Sequence, residues 1–174
     1  MDVFSHGAWG YASLHRHRDL RWWAVLAGAA PDLLWFVPST VNAFATRGWD
    51  ALRLGSQREI WRSDGPPLPA ELVDSYVRYY IYTHSLVLLA LVTAFVLATR
   101  WRRYAWLALP YALHILMDIP THERYQTQPF APLSSWAIEG MTWSDPRIFF
   151  PNLAALVLTY AWILHRRRTE AVRR

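Results

Sequence analysis

The 174 residues contain no cysteine and no lysine. Without cysteine there are no disulfides, no thiolate zinc sites and no cysteine nucleophile, and the redox compartment cannot be read. Without lysine, all 18 basic residues are arginine, which we read as coding bias, and no lysine is available to bind a phosphate. No internal repeat or low-complexity stretch interrupts the chain. No secretory signal peptide is expected, because Asp2 and His6 stand where a basic n-region would be and no cleavage site follows.

More than half of the residues are apolar, with 11 Trp, 9 Tyr and 7 Phe. Trp and Tyr are the residues that membrane interfaces select, each part apolar and part wet. Apolar segments are expected as helices over about 21–38, 79–99, 104–119 and 148–165, preceded by a helix over 3–15 too short to span alone. Small residues at Gly7, Ala8, Gly10, Ala12 and Ser13 would let that first helix approach a neighbour closely. The stretches 39–78 and 120–147 are polar or rich in breakers and read as outer loops, the first with an amphipathic helix near Asn42 to Arg62. The expectation is one all-α domain over 1–174: a polytopic integral membrane helical bundle of a short N-terminal helix and four longer membrane helices.

Charge asymmetry orients that bundle. Three connections hold eleven arginines against Asp19 and Glu170, whereas the two outer loops hold seven arginines against eight acids. The basic excess thus reads as a topology signal that also suits anionic headgroups, and a nucleic-acid partner loses its support. The expected location is the bacterial inner membrane, with a cytoplasmic C-terminus.

Ionisable groups inside apolar segments carry the chemistry. His114 and Asp118 are four apart in PYALHILMDIPTH, stacked on one helix face, with His122 a turn later beyond Pro120. Antiparallel folding of the segments brings His6, Asp32, His84, His114, Asp118 and His122 to one level near the outer face. His15, His17 and His165 fall at the opposite, arginine-rich face, where simple solvation explains them. Each site residue also has a bland reading: a helix start at His6, a backbone bond for protonated Asp32 after Pro31, and interhelical hydrogen bonding at Thr83-His84-Ser85. Together, imidazoles and carboxylates at one depth suit a divalent ion, Zn²⁺ by the histidine share, with Mn²⁺ or Mg²⁺ as alternatives.

The N-terminal His6, Pro31-Asp32, Thr83-His84-Ser85, His114-x-x-x-Asp118 and the following loop Pro129 to Ser134 resemble the pattern of bacterial membrane-bound metal-dependent hydrolases. Two positions depart from it: Leu34, where that family often has a second Asp, and Tyr79-Tyr80, where it often has His-Arg. The pattern is also similar to the all-helical zinc phospholipase C and P1-type nuclease group, which suggests a lipid or headgroup phosphoester. Lipid phosphatases of the vanadium-haloperoxidase type share His-x-x-x-Asp, but their Pro-Ser-Gly-His is absent.

The expected activity is hydrolysis of an ester or phosphoester by a metal-activated water, at a site facing the outer side. His6, Asp32, His84, His114, Asp118 and His122 are its candidate ligands. Thr83 or Ser85 would orient an imidazole from behind, and the general base would be Asp32 or else Glu123. The alternative is a non-catalytic membrane protein whose same groups form a structural metal or hydrogen-bond knot, with a partner-binding outer loop. A transporter would space its ionisable groups along a path rather than at one face.

Overall fold

The computed structural model describes residues 1–49, 70–123 and 126–172, whose regular elements are all helices with no strand among them. The elements are α1 (Val3–Ser13), α2 (Arg21–Arg47), α3 (Ala70–Thr83), α4 (Leu86–Leu97), a 3₁₀ helix (Arg102–Leu107), α5 (Ala108–Asp118) and α6 (Pro146–Val172).

Asp2 caps α1, its carboxylate accepting from the Ser5 N–H at 2.9 Å. After the turn at residues 14–20, α2 returns along α1 at a separation only glycine permits. A Cβ on Gly28 would stand 2.5 Å from the His6 carbonyl oxygen and 3.1 Å from the Gly10 Cα. The expected close approach of the small-residue face of α1 is therefore present. Leu14, Leu20 and Ala24 close the turn end of this hairpin, with Tyr104 and Leu107 packed on them.

Helix α6 runs parallel to α1. Asn152 near its start accepts from Trp9 Nε1 at 2.8 Å and donates to Ser5 Oγ at 3.0 Å. Further along, Tyr160 donates to the Ala8 carbonyl at 2.8 Å and Arg167 to the Tyr11 hydroxyl at 2.9 Å. The level of Ser5 and His6 thus lies beside the start of α6, and the arginines lie beside its end.

Several boundaries differ from expectation. Pro38 removes one backbone donor without ending α2, which continues to Arg47. The segment 79–99 is not one helix: Val77–Thr83 and Leu86–Leu97 meet at 50°. Ser85 makes that break, accepting from the Leu88 N–H at 3.1 Å to cap α4 while donating to the Ala131 carbonyl at 2.5 Å. The expected amphipathic helix near Asn42 to Arg62 coincides with the end of α2 as far as Arg47, and from residue 50 onward it lies outside the described residues.

The polytopic bundle with four membrane helices is overturned. Among the described residues only α6, over Pro146–Ala171, is long and apolar enough by itself to cross a membrane, and 6 % of its apolar window is buried inside the protein. The bent pair around His84 would be a second such segment only if taken as one span. The 12 residues of α4 and 11 of α5 reach about 18 and 17 Å, short of a hydrocarbon core of about 30 Å. The 27 residues of α2 are long enough, but its Trp, Pro and Asp32 dilute its apolar character. The 53 % apolar content is real; it is divided among helices that are individually too short or too polar.

Candidate metal centre

Four side-chain atoms converge where α2, the α3–α4 break and α5 meet: Asp32 Oδ1, His84 Nε2, His114 Nε2 and Asp118 Oδ2. His84 Nε2 and His114 Nε2 are 3.1 Å apart, and they lie 3.3 and 3.1 Å from Asp118 Oδ2. Asp32 Oδ1 is a little further off, at 3.8 Å from His84 and 3.6 Å from His114. His84, His114 and Asp118 are fully buried, and the Asp32 side chain is 13 % exposed. These four residues could hold one metal ion.

The protons identify what the centre accepts. His114 Nδ1 is 2.7 Å from the Gly28 carbonyl oxygen, and His84 Nδ1 is 3.0 Å from the Tyr80 carbonyl oxygen. A carbonyl only accepts, so each Nδ1 carries the ring proton, and in a neutral imidazole each Nε2 presents a lone pair. Two such lone pairs then face each other at 3.1 Å beside two carboxylates. Asp118 Oδ2 is buried and makes no properly directed hydrogen bond despite these close imidazoles. Four donor atoms aimed at a shared point, with no proton between them, fit a cation. Ligand atoms at 2.0–2.1 Å in a tetrahedron stand about 3.3 Å apart, and the five separations that involve an imidazole, 3.1 to 3.8 Å, bracket that value.

Electrostatics shows that the two carboxylates call for positive charge: burial lowers the His84 pKa, but Asp118 and Asp32 outweigh it and raise it, so protons on the imidazoles compete with a metal ion for the same place. Burial pushes the Asp118 carboxyl up, but the surrounding imidazoles of His114, His6 and His84 outweigh it and hold that carboxyl well below the usual range. Burial likewise raises Asp32, and His84 and His114 more than offset it. Both carboxylates are therefore ionised, as a metal requires.

The other expected site residues lie around this centre in different roles. His6 is buried at the same level, but its Nε2 contacts the second oxygen of Asp118, Oδ1, at 2.9 Å, and its ring stacks on His114 with centroids 3.5 Å apart. It braces two of the four groups and is not one of them. The Met1 amine also meets Asp118 Oδ1, and it lies 3.1 Å from Thr121 Oγ1. His122 stands at the rim, Nδ1 3.3 Å from the Asp118 carbonyl and 3.7 Å from Oδ1. Burial, offset in part by Asp118, lowers its pKa to about 4, so it is neutral near pH 7.

Glu123 is exposed and outside the group of four. Thr83 Oγ1 lies 3.0 Å from His84 Nδ1 and behind that ring, in the orienting position expected of it. Ser85 orients no imidazole: its hydroxyl is committed to capping α4 and to the Ala131 carbonyl, which ties the loop down. The loop's other ties are Pro129, whose carbonyl accepts from Leu86 N–H at 2.8 Å, and Thr127, 2.8 Å from the Tyr80 hydroxyl.

Two supporting residues escaped the sequence reading. The Gly28 and Tyr80 carbonyls fix the imidazole tautomers, and the Tyr80 ring stacks on His84 at 3.9 Å. Tyr80 is four residues before His84 and Gly28 four before Asp32, so the helical spacing that flagged His114 and Asp118 would also have found them. Leu34 and Tyr79, the two departures from the family pattern, line an apolar cavity of about 510 Å³ that also reaches Thr83 and Tyr111.

Compared with known protein families, characterised proteins and solved structures, the chain finds no match.

Proposed function

We propose that this chain is a metal-dependent hydrolase of an ester or phosphoester, of the membrane-bound kind that its motifs resemble. The observation carrying the reading is the convergence of His84, His114, Asp118 and Asp32 with both imidazole protons turned away. His84, His114 and Asp118 form the tight face and would hold the ion, Zn²⁺ by donor type. A divalent ion bound there supplies Lewis acidity and lowers the pKa of water beside it.

Asp32 is the loosest and most exposed of the four, which suits the general base. Its ionised carboxylate can take a proton from attacking water and return it to the leaving group. His6 keeps Asp118 aimed, and Thr83 and the Tyr80 carbonyl keep His84 aimed. The apolar cavity along Leu34, Tyr79 and Tyr111 gives the greasy portion of a lipid-like substrate a place beside the polar centre. With α6 as an anchor and its arginines cytoplasmic, the centre would face the outer side of a bacterial inner membrane.

A second reading is favoured by the burial of the group: Asp32 as a fourth ligand closes a structural site. Metal content measured on the purified protein and on a His114→Ala, Asp118→Ala double variant tests both readings at once. Both expect a divalent ion near stoichiometry that the double variant loses. Asp32→Asn separates them. The hydrolase keeps its ion and loses roughly 100-fold or more in turnover of bis-p-nitrophenyl phosphate or medium-chain p-nitrophenyl esters. The structural site loses ion and thermal stability together. Failure of the folded parent to bind Zn²⁺ or Mn²⁺ would sink both.

A further inference from the structure

At the other end of α6 lies a second cavity of about 740 Å³, between the α1–α2 turn and the last turns of α6. Arg16, Arg18 and Arg21 form one wall and Arg166 and Arg167 the other, with Glu170 the single carboxylate in the lining. Five arginines against one glutamate leave a formal charge of +4 (5 − 1 = 4) around one space.

These arginines are not spent on acids. Among the described residues the arginine ion pair is Arg147–Asp145, far from this wall in sequence. Arg21 Nε is buried without a hydrogen-bond partner. Arg167 is held in place by the Tyr11 hydroxyl at 2.9 Å, and Arg166 lies over the Trp162 ring at 5.0 Å. Guanidinium groups gathered around a cavity repel one another unless an anion lies between them, and their planar forks match phosphate oxygens in pairs.

Three tryptophans identify the source of that phosphate. Trp22, Trp106 and Trp162 are 65, 56 and 47 % exposed. They pack against Tyr11, His17 and His15, the residues beside the pocket, at ring distances of 5.1, 5.5 and 5.7 Å. Exposed indoles and arginines at one level, at the end of a helix able to cross a membrane by itself, form the arrangement that headgroup regions select. We propose that this pocket binds the phosphate of an anionic phospholipid headgroup. The proposal does not depend on the metal centre, which sits at the opposite end of α6.

The test is a thermal-shift titration of the full chain in neutral detergent with short-chain phosphatidylglycerol, phosphatidylcholine, inorganic phosphate and a single-stranded oligonucleotide. Saturable stabilisation by phosphatidylglycerol alone is expected. An Arg16→Gln, Arg18→Gln, Arg166→Gln variant alters only exposed side chains, and should weaken that binding by on the order of 100-fold. An Arg100→Gln, Arg102→Gln, Arg147→Gln variant loses the same charge elsewhere and should bind as the parent does.

Equal weakening in both variants would reduce the pocket to general surface charge and overturn the proposal. Stabilisation by inorganic phosphate as strong as by the lipid would make it a free-anion site. Equal binding of phosphatidylcholine, or displacement of the lipid by the oligonucleotide, would also overturn it. Native mass spectrometry of the unaltered protein decides the question without a variant, since phosphatidylglycerol must be retained over phosphatidylcholine.

Discussion

Replacing Gly28 with alanine probes the crossing on which the centre depends. The new Cβ would stand 2.5 Å from the His6 carbonyl oxygen, where ordinary contact begins at 3.4 Å, so α1 and α2 must part by about 0.9 Å (3.4 − 2.5 = 0.9). Both sides of that contact serve the centre. His6 holds Asp118 Oδ1 at 2.9 Å, and the Gly28 carbonyl holds His114 Nδ1 at 2.7 Å. Where α2 gives way, a shift of that size away from α5 takes the second bond to about 3.6 Å, beyond hydrogen-bond range, and where α1 gives way it falls on the His6 contact. The overpacking should cost about 1–3 kcal/mol, or roughly 2–12 °C in Tm for a chain of this size. Loss of the imidazole's support should weaken metal binding by about 10–100-fold.

Gly7→Ala is the matched control. Its Cβ would meet Val25 Cγ1 at 3.2 Å, a contact that a shift of about 0.2 Å relieves (3.4 − 3.2 = 0.2), and the helix-propensity gain of up to about 1 kcal/mol should leave it neutral or stabilised. Differential scanning fluorimetry with and without Zn²⁺ reads both variants. If Gly28→Ala melts with Gly7→Ala and binds metal as tightly, the reasoning from the crossing to the centre is wrong.

Ser85→Ala removes the cap of α4 and the donor to the Ala131 carbonyl. It should cost about 1–3 kcal/mol and expose the loop at residues 126–134 to limited proteolysis; an unchanged melt and digest would deny Ser85 that role. Burial lowers the His84 pKa, but Asp118 and Asp32 outweigh it and raise it; protons compete with the metal for the His84 Nε2 lone pair, so metal-linked stability is present above that raised pKa and lost as pH falls through it. The expected steepness is up to ~10-fold in affinity per pH unit for that one imidazole. Equilibrium dialysis at several pH values measures this, and a flat profile would mean that the imidazoles do not bind the ion.

The site was more legible in the sequence than the membrane architecture. His114 and Asp118 share a helix, so their four-residue spacing fixes their proximity locally. Counting residues from the turns was enough to bring His6, Asp32 and His84 to the same level. The expected four membrane helices failed as an inference because the number of spans depends on where helices stop. The hydroxyl of Ser85 divides one apolar stretch at a 50° bend, and a 3₁₀ helix shortens the next. The first of these endings is tied to the Ala131 carbonyl, 46 residues away, which no local hydropathy pattern contains.

The amino-acid sequence by itself determined that this chain is helical, that imidazoles and carboxylates gather at one end of it, and that arginines gather at the other. These follow from residue periodicity and helix rise, which act over a few turns. Only the tertiary structure decided which atoms converge. It turned His6 toward the outer oxygen of Asp118, withdrew Ser85 and Glu123 from the four-atom group, and used carbonyls of Gly28 and Tyr80 to point two lone pairs inward. Spacing along a helix sets which face a side chain occupies; the direction of a ring nitrogen is set by the partner on the neighbouring helix.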